Sequence, residues 1–220
     1  MKNLVTLLNR HRTKAGIFLI WLFHLSGLVG ILLGGAEWFI PKTPLNLILC
    51  AGLFLWVFPV NTLKKSCLFA LIVVCGIGAE WIGVHTGYLF GSYSYGENLG
   101  PKLDGVPYLI GINWALLSMA SGSVSQYWKL SMAWQVLIGG LLMVSLDFFL
   151  EQLAPALGYW TFVGGHPPLW NYICWLVLAL LFQGCYHALK IRGNQEFSLH
   201  LLGAQFVFFI SLALYYPGLP

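Results

Sequence analysis

Apolar positions run through this chain in long blocks, and polar positions are confined to the gaps between them. Seven segments stand out: Ala15 to Ala36, Pro44 to Val60, Cys67 to Tyr88, Val106 to Gly122, Ala133 to Leu150, Trp170 to Leu189 and Leu199 to Tyr216. Each is near the ~20 residues that carry a helix across the hydrocarbon core of a bilayer, the second and fourth being the shortest. Apolarity all round, rather than in one stripe, marks helices whose outer surface meets lipid. The pattern predicts an all-α polytopic membrane helix bundle of about seven transmembrane helices, a single integral membrane domain over residues 1–220. The first segment follows a basic stretch, as the apolar part of a signal peptide does. Its apolar run exceeds the ~7–15 residues of such a peptide and no A-x-A site follows, so it reads as a helix.

Composition sharpens this picture. The chain is 59% hydrophobic and 8% charged, with a mean hydropathy of +0.79, where soluble domains carry about 25% charged residues. The net charge of +4 is small and sided, which gives no argument for nucleic acid. With the N-terminus in the cytoplasm, Lys2, Arg10, Arg12, Lys14, Lys64, Lys65, Lys129, Lys190 and Arg192 fall inside; only Lys42 and Lys102 fall outside. That asymmetry predicts a bacterial-type cytoplasmic membrane protein with its C-terminus on the outer side. The five cysteines lie inside apolar runs, with no C-x-x-C and no histidine at ligand spacing, so they read as small apolar filler and no metal site is expected.

The acids behave oppositely to the bases. Glu196 is the one inner acid, whereas Glu37, Glu97, Asp104 and Glu151 sit at or beyond the outer ends of segments. Glu80 and Asp147 lie inside the third and fifth segments, at similar depth in the outer third. An acid facing lipid costs several kcal/mol, so both should point inward, onto one cavity capped by Tyr93, Tyr95 and Trp160. Asp147 and Glu151 are four residues apart, on one helix face if the helix continues that far. Paired acids in a poorly solvated site allow one to stay protonated near neutral pH while the other ionises. The plainer alternatives are that Glu151 marks the water interface and that Glu80 only hydrogen-bonds a neighbouring helix. Gly76, Gly83 and Gly87 line up with Glu80 as a small-residue face that permits close packing.

Two long loops, Leu89 to Gly105 and Glu151 to Leu169, emerge on the same outer side and are rich in Gly, Pro, Tyr and Trp. They are expected to fold back over the helix ends. Tyr88, Phe90, Tyr93 and Tyr95 fit either an interfacial aromatic belt or the lining of an apolar cavity. His24, His85, His166, His187 and His200 show no H-x-x-x-H or H-x-x-H-H spacing, so the histidine boxes of membrane desaturases are missing; His85 reads as an interface residue. No aspartate-rich D-D-x-x-D motif, phosphate loop or G-x-G-x-x-G set is present, which argues against prenyl transfer and nucleotide binding. The last segment has no lysine of the kind that would hold retinal.

The stretch EWIGVHTGYLFGSYSYGENLGPKLDGVPYLIGINW, Glu80 to Trp114, resembles the signature of the CruF-type carotenoid hydratase family of integral membrane proteins. That signature runs E-x-x-G-V-x-T-G-x-x-F-G-x-Y-x-Y, then L-G-P, G-V-P and a Trp. SLDFFLEQLAPALGYWTF, Ser145 to Phe162, resembles the family's D-x-x-x-D stretch followed by G-x-W, and HPPLWNYICW, His166 to Trp175, its P-x-x-N-x-x-x-W segment. The match covers roughly residues 80–175; the first two segments and the last match only as hydrophobic helices. Glu151 stands where the family has Asp, and Tyr88-Leu89 replaces Leu-Pro before Phe-Gly. The first keeps the charge; the second bears on the loop and the shape of an end-group pocket.

The resemblance implies addition of water across the terminal C-1,2 double bond of an acyclic carotenoid ψ end, giving a tertiary 1-hydroxyl. The substrates implied are γ-carotene, lycopene and longer acyclic carotenoids drawn from the lipid bilayer, with no cofactor. It puts Glu80, Asp104, Asp147 and Glu151 forward as catalytic acids, and Trp81, Tyr93, Tyr95, Trp114, Trp160, Asn171 and Trp175 as substrate-binding residues. A protonated carboxyl would donate to C-2, an ionised neighbour would orient the water, and aromatic rings would stabilise the tertiary cation at C-1. Two other classes stay open. A proton-coupled transporter also uses intramembrane acids, although no internal repeat is visible. A non-catalytic lipid- or carotenoid-binding subunit needs only the groove.

Overall fold

The computed structural model describes residues 2–215, and within them the chain is a helix bundle closed at one end by two short ladders. Helix α1 spans Lys2–Gly30 and gives way to a π-helical turn, Ile31–Gly35. Gly34 there has φ 92°, a left-handed conformation that a side chain would strain, and the chain bends at it. The short α2 (Ala36–Phe39) and a 3₁₀ turn (Ile40–Lys42) lead into α3, Thr43–Val57. Phe58 is extended, as the residue before Pro59 must be, and this stops α3.

Helix α4, Leu63–Thr86, is capped at its start by the Thr62 side chain, which accepts from the Lys65 amide. Its end is set by Gly87 at φ 67°, whose N–H bonds the Gly83 carbonyl. Then come α5 (Tyr108–Ser125), α6 (Met132–Leu153), α7 (Leu169–Ala188) and α8 (Gln195–Tyr215). Pro107 precedes α5 and Pro168 precedes α7, each at a position where a missing N–H costs nothing.

Among the described residues, five stretches are long and apolar enough to cross a membrane: Arg10–Val57, Leu63–Thr86, Met132–Leu153, Leu169–Ala188 and Gln195–Tyr215. The chain is therefore an all-α integral membrane protein, with a different division from the seven segments read in the sequence. The first two segments fall within one helical stretch bent at Gly34. The fourth, α5, is not among the five and is enclosed by the others: it packs on α3, α4, α6, α7 and α8. Ser118, Ser121, Ser123 and Ser125 are fully buried along it. A helix sheathed by protein does not have to satisfy lipid, so it can carry serines that an outer helix could not. The outer helices instead expose Leu33, Val74, Val177 and Leu181. Tyr216 and the C-terminus lie outside the described residues.

The two long loops do fold back. Strand β1 (Tyr93–Tyr95) pairs antiparallel with β4 (Trp160–Phe162), joining one loop to the other in the register Tyr93 to Phe162 and Tyr95 to Trp160. Strands β2 (Lys102–Leu103) and β3 (Val106–Pro107) form a hairpin. Its two-residue turn is Asp104-Gly105, both at positive φ, as an Asp-Gly hairpin turn requires. These ladders lie over the ends of α4 and α6, where the membrane-embedded acids sit.

Candidate active site

Glu80 is 3% exposed near the end of α4, and three donors converge on it. The Tyr93 and Tyr95 hydroxyls donate to Oε2 at 2.5 and 2.7 Å, and the Trp114 indole N–H donates to Oε1 at 3.0 Å. An ionised carboxylate offers acceptor positions only, and three of them are filled here. Burial first, and the Glu80 charge second, push both tyrosine hydroxyls up from their ordinary values, so they remain donors at any ordinary pH. Bare glycines make the approach possible. A Cβ on Gly83 would meet the Tyr93 hydroxyl at 2.7 Å, and one on Gly76 would meet the Trp114 ring at 3.0 Å. The small-residue face of α4 thus admits the two rings that hold its carboxylate.

Glu151, on the last turns of α6, is also 3% exposed and has two donors. Trp160 Nε1 donates at 2.7 Å and Asn171 Nδ2 at 2.8 Å. One turn back on the same face, Asp147 is equally buried, but neither of its oxygens has a hydrogen-bond partner among the described residues. It lies within electrostatic reach of Glu151 and Glu80. A bare anion in such a place costs several kcal/mol more than a neutral carboxyl. The geometry therefore separates the three acids into two held by donors and one with none.

Asp147 stands in the wall of a cavity of about 300 Å³ that also has Trp160, Trp175 and Tyr159 in its wall. Trp175 stacks on Trp114 with ring centroids 3.7 Å apart, so the cavity wall rests on the ring that holds Glu80. Tyr159 shares a hydrogen bond of 2.9 Å with Thr43 at the start of α3, tying the loop to the far side of the cavity. The lining is mostly apolar with a few polar groups, the usual make-up of a small-molecule site.

The residues singled out in the sequence divide into three places. Asp147, Trp160 and Trp175 border the cavity. Glu80, Glu151, Tyr93, Tyr95, Trp114 and Asn171 sit behind that wall, so the expectation that Glu80 and Asp147 share the cavity with Tyr93 and Tyr95 is met for Asp147 and Trp160 alone. Trp81 and Asp104 stand apart at the surface: the Trp81 indole N–H donates to Asp104 at 2.7 Å, and His85 lies 3.2 Å from the same carboxylate. Asp104 belongs to the Asp-Gly turn and points to solvent, with its side chain 62% exposed. His85 also bonds the Trp81 carbonyl, in keeping with a surface role.

Asn46, Asn113 and Gln205, which the sequence reading leaves out, and His24, read there only for its spacing from other histidines, also border the cavity. His24 is bonded through Nδ1 to the Ile20 carbonyl at 2.8 Å, and the Gln205 side-chain oxygen has no partner among the described residues. The signal was present. Each is a polar residue within an apolar segment, where a polar side chain facing lipid is costly just as an acid is.

A family model described as carotenoid biosynthesis protein matches residues 43–217. The chain belongs to this family. No curated protein and no solved structure matches the chain. The matched region takes in α3 through α8, both ladders and all three buried acids. The part of the cavity wall supplied by His24, Gly27, Ile31 and Trp38 lies before it.

Proposed function

We propose that the protein is a carotenoid hydratase that adds water across the terminal C-1,2 double bond of an acyclic ψ end. The observation that carries this reading is Asp147. A buried carboxyl without a donor borders a mostly apolar cavity, one helical turn from a carboxylate that two donors hold. An isolated alkene must take its proton from a group that still carries one and stands beside the double bond, and a buried carboxyl that no donor holds as an anion keeps its proton for that step.

In this mechanism Asp147 transfers its proton to C-2, leaving a tertiary cation at C-1 beside the Trp160 and Trp175 rings. Water forms the C–O bond at C-1, and the proton it loses passes to the Asp147–Glu151 carboxylate pair, which restores the acid. The step balances as alkene plus water to tertiary alcohol. Glu80 takes no proton; it is a positioning residue that fixes Tyr95, and through it the ladder bearing Trp160. Asp104 and Trp81 have no part in the chemistry. A volume of about 300 Å³ suits one end of an acyclic carotenoid, the rest of the polyene extending into lipid.

Expression of the chain alone in a host that makes lycopene or γ-carotene tests the reading. A hydroxylated carotenoid in the pigment extract supports it. Unchanged pigments, with the protein present in the membrane, overturn it in favour of a transporter or a binding subunit.

A further inference from the structure

The end of the bundle away from the acids has a cavity of about 800 Å³ whose wall includes both Arg12 and Arg192. The two arginines come from distant parts of the chain: the third turn of α1 and the α7–α8 connection. That connection is held in place from both sides. Asn194 Nδ2 donates to Thr13 Oγ1 at 2.7 Å, and Gln126 Nε2 donates to the Ile191 carbonyl at 2.9 Å. Neither guanidinium has a carboxylate within ion-pair distance among the described residues. Glu196, the acid nearest in sequence, is exposed on the first turn of α8.

Gln195, which opens α8, borders the same space, so the positive end of that helix adds to the field of the two arginines. On another side the wall is Leu55 and Trp56 at the end of α3, 50% and 45% exposed. A tryptophan at a helix end beside exposed leucine marks the level where headgroups meet acyl chains. One wall therefore suits an anion and the adjoining wall suits lipid.

We propose that this cavity binds the phosphate of an anionic membrane phospholipid. Arg12 and Arg192 take the phosphate oxygens through their forked N–H groups, and Trp56 and Leu55 pack along the glycerol and the first carbons of the acyl chains. This site is independent of the hydratase reading and stands or falls without it.

The test uses the full chain, purified in neutral detergent and stripped of lipid. Native mass spectrometry and thermal melting are followed while phosphatidylglycerol, phosphatidylcholine, glycerol phosphate or inorganic phosphate is added. The expected result is retention of phosphatidylglycerol and a raised melting temperature, with phosphatidylcholine and the two soluble phosphates much weaker. Combining Arg12→Gln with Arg192→Gln should weaken phosphatidylglycerol binding by at least about tenfold, since each surface arginine adds appreciably to anionic-lipid affinity. Replacing Lys64 and Lys129 by Gln, at the same end but outside the cavity, should leave most of it. Equal binding of phosphatidylcholine overturns the anionic preference. Binding of the soluble phosphates as tight as that of the lipid overturns the lipid assignment. If the double variant fails to fold, Arg192→Gln alone, in the α7–α8 connection rather than in a helix, carries the test: unchanged phosphatidylglycerol binding by it overturns the site.

Discussion

Tyr95 and Trp160 are cross-strand partners in the ladder between β1 and β4, their rings meeting edge to face at 5.9 Å, and each donates to a different buried carboxylate. Tyr95 holds Glu80 on α4 and Trp160 holds Glu151 on α6. One rung of a short ladder thus fixes the relation of two helix ends, and Trp160 continues from that rung into the cavity wall. Side chains directly opposite in an antiparallel pair lie on the same face, which is why a three-residue strand suffices.

Replacing Asp147 by Asn should abolish hydration while leaving the protein in the membrane. Among the described residues no donor reaches Asp147, so Asn costs no hydrogen bond, yet it has no proton to give an alkene. General acids typically contribute ~10²–10⁴-fold, so the loss in a pigment assay should be near total. The ratio of hydroxylated to parent carotenoid, normalised to membrane protein, is the readout. Retention of more than about a tenth of the wild-type ratio, below the low end of that range, would make Asp147 structural.

Glu80→Gln should act on stability first. It leaves two tyrosine hydroxyls and an indole N–H facing an amide, and hydrogen bonds to charged groups are worth about 1.5–3 kcal/mol each. Tyr95→Phe removes one of them, and the double variant should be less unstable than the sum of the singles, by roughly 0.5–3 kcal/mol. Melting of the purified protein in detergent measures the cycle. A Glu80→Gln variant of unchanged stability that makes no product would instead put Glu80 in the chemistry.

Gly83→Ala should separate α4 from the loop above it. The added methyl would lie 2.7 Å from the Tyr93 hydroxyl and 3.1 Å from the Leu89 carbonyl oxygen, and the backbone there cannot move aside cheaply. Overpacking of this kind costs about 1–3 kcal/mol, and Tyr93 should lose its bond to Glu80. A lower melting temperature and weaker protection of the Tyr93 amide region in hydrogen exchange are expected; wild-type values in both would refute the steric argument.

Asp104 gives a pH dependence of known sign. The Trp81 indole N–H, and secondly the neighbouring His85, hold its carboxyl below the ordinary carboxylate value. A folded-state value below the unfolded one adds stability above the unfolded value, and that stability is lost as pH falls through the folded one. The side chain is mostly exposed, so solvent screens the interaction and the effect is small. Asp104→Asn should melt slightly below the wild type at neutral pH, and the two curves should merge under acid conditions. Its pigment ratio should match the wild type, whereas a lost product would return Asp104 to the chemistry.

The charge asymmetry predicts an orientation. Reporter fusions after Lys65 and after Arg192 should read cytoplasmic and a fusion at Asp104 external, because nine of the eleven basic residues then lie inside. An external signal after Lys65 would reverse the bundle.

The sequence by itself determined the environment and the helices. Backbone in lipid must satisfy its own hydrogen bonds, so long apolar runs have only the helix available, and the ends of α4, α6, α7 and α8 fall within a few residues of the apolar segments. It also marked Glu80, Asp147 and Glu151, because a buried acid in an oily run is costly wherever it points. The division of labour among the three was decided by tertiary structure alone. Whether a carboxylate has three donors or none depends on which rings a fold brings to it from residues 13, 15 and 34 positions away, and for Asp147 on none being brought. The same holds for Asp104, which the motif placed beside the acids and the Asp-Gly turn carried to the surface. The helix α5 shows the converse. It was one of the two shortest apolar segments in the sequence, and only its enclosure by five neighbours explains why it carries buried serines.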